Sequence, residues 1–199
     1  VEFGANRLVE GAKNFGFEQD CGLEIPVTDS LMPDPSQMTN WELGWSAAGE
    51  PVGTHTSPPG PQATVTQMCL VASAIANNGV ICTPYLVDSV YGPNGDKASQ
   101  TSTTSFAQAT SADIAQRVKQ CMIGVVQSGT GTAAQISGKT VAGKTGTAEK
   151  DNGKNNIWFI GFADANDPKV AVAVILEDAE DGSAHVKAKQ IMEAVLNKK

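Results

Sequence analysis

Histidine is nearly absent from these 199 residues, which hold two, and the four cysteines stand far apart at 21, 69, 82 and 121. Neither a C-x-x-C pair nor a zinc-ligand spacing occurs, so no metal site and no cofactor are expected. Basic residues are also short. Fourteen Lys and Arg against 21 Asp and Glu give a net charge of −7, and no basic face is available to offset phosphate repulsion, which argues against a nucleic-acid partner. The longest apolar run, residues 170–176, is far below the ~20 residues that span a bilayer as a helix. No secretory signal stands at the start, and the chain begins at Val1 without Met, so it reads as a piece of a longer protein. Aromatics make up only 6% of the residues, yet 41% are hydrophobic, enough for one large domain with a real core and against wholesale disorder.

What is present falls into three stretches. Residues 5–15 carry Leu8, Val9, Ala12 and Phe15 on one helical side, and a long irregular stretch with seven prolines follows from Cys21 to about Ala63. Loops of that length inside a domain are binding walls, lids or linkers. Thr64-Val-Thr-Gln67 is a capping-box pattern that opens a helix through Met68, Val71, Ala72 and Ile75, closed by Asn77-Asn78-Gly79. Residues 85–91 read as a strand with Gly92-Pro93-Asn94-Gly95 as its turn, and residues 95–108, rich in Ser and Thr, as a surface excursion. Ser111 caps a second long helix, for which Ile114, Val118, Cys121, Met122 and Val125 are expected to form the buried stripe. Cys69 and Cys121 are accordingly expected as buried thiols.

The last third is built differently. Residues 140–149, 157–163 and 170–177 read as three strands joined by short turns, hence an antiparallel meander, and 184–195 as an amphipathic helix. Val170, Val172, Val174 and Leu176 alternate with Ala171, Ala173 and Ile175, so both faces of the third strand are apolar and a central position is expected for it. The pattern as a whole predicts an α+β layered domain.

One segment carries chemistry and admits two readings. Gly138-Lys-Thr-Val-Ala-Gly143-Lys144-Thr145 satisfies the phosphate-loop pattern G-x-x-x-x-G-K-[ST], and Glu177-Asp178 after an apolar strand imitates its acidic partner. A phosphate loop needs a helix starting at the Lys-Thr, whose N-terminus cradles the phosphates. Here Gly146-Thr147, a polar turn and a strand follow instead, so a nucleotide hydrolase is the weaker reading. The other takes Lys144-Thr145-Gly146 as the K-T-G motif of serine enzymes that react with β-lactams.

The residues around that tripeptide carry a wider resemblance. Val141-Ala-Gly-Lys-Thr-Gly-Thr-Ala-Glu149 resembles the K-T-G strand of penicillin-binding proteins, above all the class B transpeptidases, and 158–163 and 170–177 resemble the next two strands of their sheet. Val65-Thr-Gln-Met68 with Ile75–Gly79 and Pro84, then Val125-Val126 with Gly129-Thr-Gly-Thr132, and Asn14-Phe-Gly-Phe17 resemble further segments in the family's order. The resemblance implies a β-lactamase/transpeptidase-like antiparallel sheet flanked by helices on both faces, with residues 1–199 as the C-terminal portion of the domain and its N-terminal part missing.

Two departures bear on activity. No Ser-x-x-Lys and no Ser-x-Asn occurs anywhere in the chain, and the family places both upstream. The nucleophilic serine, its lysine and the second-motif serine are therefore expected in the missing N-terminal half, and the chain alone is expected to be inactive. His55–Pro61 also differs from the Gly-Gln-Gly run often found before the Thr-x-x-Gln helix.

For the parent protein the resemblance implies a serine D,D-transpeptidase that cross-links peptidoglycan stem peptides at D-Ala-D-Ala and is acylated by penicillin. It places the parent in the bacterial cell envelope, outside the cytoplasmic membrane and anchored through an N-terminal segment, with cell-wall synthesis or division proteins as candidate partners. A β-lactam-sensing or inactive penicillin-binding domain is an alternative of another class, and D,D-carboxypeptidase or β-lactamase activity is the closer rival within the same fold. By the same resemblance Lys144 and Thr147 are the catalytic candidates. Lys144, Thr145, Gly146 and Thr147 form the substrate site: Lys144 supplies positive potential, the hydroxyls of Thr145 and Thr147 hold a carboxylate, and the Thr147 N–H serves the oxyanion. Trp158 is expected in the core, and Glu149 and Lys150 at the surface or paired with each other.

Overall fold

Asn155–Ala163 forms the middle strand of the main sheet, and the alternation of its side chains builds two cores. Ile157, Phe159 and Ala163 point to one side, where they join Val141, Val172, Ala184, Ala188 and Met192. Phe162 points to the other and joins Ala142, Ile75 and Met122. A strand apolar on both faces has to be covered on both, and this one is. The computed structural model describes residues 3–50, 56–150, 153–179 and 183–198.

In chain order the elements are α1 (Ala5–Asn14), α2 (Asn40–Ala48), α3 (Val65–Ala76), β1 (Val80–Cys82), β2 (Ser89–Tyr91), β3 (Lys97–Gln100), β4 (Ser105–Gln108), α4 (Ala112–Ser128), β5 (Val141–Glu149), β6 (Asn155–Ala163), β7 (Val170–Ala179) and α5 (Ala184–Leu196). A short 3₁₀ turn, Thr132–Ala134, lies between α4 and β5. The main sheet is antiparallel in the order β5-β6-β7, and β1-β4 and β2-β3 form two small antiparallel pairs. Helices α3 and α5 pack on β6 and β7, and α4 on β5. The expected α+β meander with helices on both faces is therefore what the chain builds.

Local chemistry accounts for the helix starts. The Thr64 hydroxyl accepts from the Gln67 N–H at 3.1 Å and the Ser111 hydroxyl from the Ile114 N–H at 3.3 Å, each satisfying one of the donors a helix start leaves open. The Thr64 box is only half formed, because the buried Gln67 side chain donates to the Phe15 carbonyl at 2.6 Å and ties α3 to the end of α1. After α3 the chain turns at Gly79, where φ is +88° and a Cβ would lie 2.1 Å from the Thr110 carbonyl oxygen. No residue but glycine fits there.

Several expectations are corrected. The stretch from Cys21 to Ala63 is not uniformly irregular, since it contains α2. That helix opens with a complete capping box in which the Thr39 N–H donates to Glu42 Oε2 at 2.8 Å and the Glu42 N–H to Thr39 Oγ1 at 3.3 Å. The strand expected over 85–91 is confined to β2, and the polar stretch 95–108 holds β3 and β4, because backbone pairing of β3 with β2 and of β4 with β1 supplies what side-chain pattern does not. Strand β7 lies at the border of the three-stranded sheet and β6 takes the centre, although helices cover both faces of β7. Lys150 pairs with Asp178 at 2.6 Å rather than with Glu149. His55, from the segment that departs from Gly-Gln-Gly, lies outside the described residues, as do Asp151 and Asn152 of the β5–β6 turn.

Helix α4 buries a different stripe from the one its apolar residues suggest. Ala115, Lys119, Met122 and Val126 face inward, whereas Ile114 and Val118 are 48% and 38% exposed and Cys121 is exposed. Cys69 is half-buried. Lys119 is buried: its Nζ donates to the Ala76 carbonyl at the end of α3, 3.4 Å away, and stands 5.9 Å from the Phe162 ring centroid. Burial lowers its pKa from the ordinary lysine value, and the carbonyl and the ring face compensate part of that cost.

The uncovered Ile114 and Val118 stripe and the border strand β7, which among the described residues pairs with β6 alone, leave apolar surface and backbone groups open to association. The 199-residue chain produced by itself is expected to self-associate. Sedimentation velocity with a dye that reports exposed apolar surface checks this, and a monodisperse monomer without dye binding would refute it.

Candidate active site

Lys144 and Thr145 lie in the middle of β5, whose nine residues pair without interruption from Val141 opposite Ala163 to Glu149 opposite Asn155. An extended strand is incompatible with a phosphate loop, which needs its Lys-Thr at a helix start. The nucleotide reading is thereby overturned.

Strand alternation sorts the four motif residues between two faces. Lys144 stands opposite Ile160 and Gly146 opposite Trp158, whereas Thr145 and Thr147 stand opposite Phe159 and Ile157. Lys144 and Gly146 therefore share the Phe162 face, and Thr145 and Thr147 the Phe159 face. Lys144 and Thr147 are exposed, and Thr145 and Gly146 half-buried. Helix α4 supports the first half of the strand, its Met122 sharing a core with Ala142 and its Val126 one with Val141. The motif follows immediately after that support.

Because β5, among the described residues, pairs with a strand on one side only, alternate residues direct N–H and C=O away from the sheet. The Thr145 carbonyl accepts a hydrogen bond from Lys144 Nζ, and Thr147, two residues on, directs its backbone groups to the same side. An ammonium, two hydroxyls and alternate backbone groups thus gather along one strand border. A 250 Å³ cavity lined by Gln127, Gln135, Lys139 and Thr140 lies at the opposite, N-terminal end of β5.

Two glycines paired across β5 and β6 have steric reasons. A Cβ on Gly143 would lie 2.2 Å from Phe159 Cζ, and one on its partner Gly161 2.5 Å from the Ala142 carbonyl oxygen and 2.9 Å from Phe159 Cε1. The Phe159 ring, fully buried, fills the notch the pair leaves open. At Gly146 a Cβ would come within 3.3 Å of Trp158 Cβ, so that position keeps the strand backbone bare above a half-buried tryptophan.

One residue not singled out in the sequence meets the motif. Thr130 Oγ1 lies 2.6 Å from Thr145 Oγ1. The run Gly129-Thr-Gly-Thr132 marks a helix end, but no local pattern says which strand its threonine will reach. Among the described residues no group of three or more His, Cys, Asp or Glu is arranged to hold a metal ion, and no helix is long and apolar enough to cross a membrane.

A helix-flanked antiparallel sheet with Lys-Thr-Gly-Thr on its border strand defines a transpeptidase-type α+β domain. The chain belongs to the family described as penicillin binding protein transpeptidase domain, which its sequence matches over residues 2–197. It is 40% identical over 122 residues to the peptidoglycan D,D-transpeptidase PbpA of Mycolicibacterium smegmatis, covering 59% of this chain and 25% of that protein. With stage V sporulation protein D of Bacillus subtilis it shares 32% identity over 184 residues, 88% of this chain and 27% of that protein. The crystal structure of the D,D-transpeptidase domain of a peptidoglycan glycosyltransferase from Eggerthella lenta superposes with a TM-score of 0.92 at 50% identity, covering 98% of this chain and 48% of that one. The imipenem acyl-enzyme of penicillin-binding protein A from M. tuberculosis superposes with a TM-score of 0.80 at 30% identity, over 96% of this chain and 42% of that one. The chain thus spans about a quarter of these curated relatives and under half of the solved domains.

Proposed function

We propose that residues 1–199 are the C-terminal portion of a transpeptidase domain and that the protein containing them is a serine D,D-transpeptidase of the cell envelope. Its substrates are peptidoglycan stem peptides ending in D-Ala-D-Ala, with β-lactams as acylating mimics. The observation that carries this reading is the placement of Lys144, Thr145, Gly146 and Thr147 along one open strand border in a chain of this family.

The chemistry assigns each residue a task. A serine from the part of the protein outside this chain attacks the penultimate D-Ala carbonyl. The C–N bond breaks, the terminal D-Ala leaves with a proton on its nitrogen, and the amine of a second stem peptide then displaces the serine. Lys144 holds positive potential beside the substrate and assists proton movement. The hydroxyls of Thr145 and Thr147 donate to the terminal carboxylate. The Thr147 N–H stabilises the oxyanion, a contribution of ~3–4 kcal/mol at comparable sites. Bare backbone at Gly146 lets the extended substrate lie along β5. In this reading the protein is held at the outer side of the cytoplasmic membrane by a segment beyond this chain, where cell-wall synthesis or division proteins are its partners.

The test compares the chain with its parent. After incubation with penicillin, intact-mass spectrometry is expected to show one β-lactam added to the full-length protein and none to the isolated chain, which contains no Ser-x-x-Lys. Stoichiometric acylation of the isolated chain would overturn the placement of the nucleophile, and no acylation of the full-length protein would overturn the assignment. Acylation of a full-length protein that fails to join stem peptides would favour the sensing alternative.

A further inference from the structure

The loop between α4 and the 3₁₀ turn is pressed onto the last turn of the helix. Gly129 and Gly131 both donate their N–H to the Val125 carbonyl, at 3.1 and 3.0 Å. A Cβ on Gly129 would lie 2.9 Å from Val125 Cα and from its carbonyl oxygen, so glycine is what permits the approach. On the far side the Ala134 N–H donates to the Gly131 carbonyl at 2.9 Å, and the fully buried Ala134 shares a core with Phe159. Gln135 Nε2 donates to the Val126 and Gln127 carbonyls at 2.9 and 3.0 Å. Thr130 is thus carried on a loop fixed at both ends, and its hydroxyl reaches Thr145 at 2.6 Å.

A threonine hydroxyl has one proton to donate and two lone pairs to accept with, while a carboxylate only accepts. Thr145 serves a carboxylate with its proton pointing outward, and a donor on its inward side holds the hydroxyl in that orientation. Building on the transpeptidase reading, we infer that Thr130 is a positioning residue for the substrate carboxylate. Its O–H donates to Thr145 Oγ1, which turns the Thr145 proton toward the ligand and polarises it through the chain Thr130 O–H, Thr145 O–H, carboxylate. The site then distinguishes acids from neutral ligands through a residue that never touches either.

The experiment measures second-order acylation of the full-length protein by a penicillin and by the methyl ester of the same penicillin, with thermal melting recorded for every variant. Thr130→Val keeps the branched shape and removes the donor. It is expected to lower the acid-over-ester preference roughly tenfold, the upper range for one hydrogen bond between neutral groups, by slowing acylation by the acid and leaving the ester rate unchanged. Thr130→Ser is expected to restore the preference. Equal slowing of both ligands, no change in the preference, or failure of serine to restore it would each overturn the inference while leaving the transpeptidase reading intact. Wild type that neither ligand acylates would overturn that reading, and the inference with it.

Discussion

Lys144→Ala in the full-length protein is expected to slow acylation by penicillin on the order of 10²–10³-fold, the usual loss when a positioned charge or proton-transfer group leaves an acyl-transfer site. The melting temperature is expected to stay where it is. Lys144 is exposed and its ammonium bonds the carbonyl of the next residue, so truncation removes charge from the site and little packing from the fold. Thr147→Val provides the graded comparison. It removes a hydroxyl from an exposed strand position and retains both the β-branched shape and the N–H, so the proposed oxyanion contribution is expected to persist. A loss of roughly tenfold is expected, one hydrogen bond to a charged group. Rates within twofold of wild type for both variants would mean that this strand is a structural border and not a substrate platform.

Gly143→Ala is expected to be strongly destabilising. The added Cβ would meet Phe159 Cζ at 2.2 Å, and Phe159 cannot step aside, because it is fully buried and packed among Val126, Val141 and Met192. Overpacking of this kind costs about 3 kcal/mol when ring and strand are both held. The cost is expected as a lower denaturation midpoint of the full-length protein with an unchanged slope. Phe159→Leu opens the notch, so the double variant is expected to lose less stability than the sum of the two single changes. Additivity of the two would show that the ring and the glycine do not contend for the same space. Penicillin acylation follows the strand: once β5 is displaced, Lys144 and Thr147 move with it.

Much of the sheet was legible because strand alternation and turn residues are local. Residues 140–149, 157–163 and 170–177 correspond to β5, β6 and β7 within a few residues, and the caps at Thr64 and Ser111 act as their spacing to the third helical residue predicts. The missed α2 carried a signal of the same kind, Thr39 three residues before Glu42, hidden in a stretch judged by its prolines. The buried stripe of α4 was misread because periodicity finds the apolar side of a helix and not the side its neighbours occupy. Lys119 lies inward because the open carbonyl of Ala76 and the Phe162 ring await it there. Ile114 and Val118 lie outward because none of the described elements buries them.

The sequence by itself determined the strand that bears Lys144-Thr145-Gly146-Thr147 and, through its resemblance along most of the chain, the family. The strand rests on residue identity and on spacing within a few positions, which the backbone converts directly into turns and alternation. Only the tertiary structure decided which motif residues share a face, that the Phe159 ring occupies the Gly143–Gly161 notch, and that Thr130 meets Thr145 from fifteen residues away. These depend on where α4 ends against the sheet and how its loop is pressed down, a matter of packing between distant segments that no local pattern encodes.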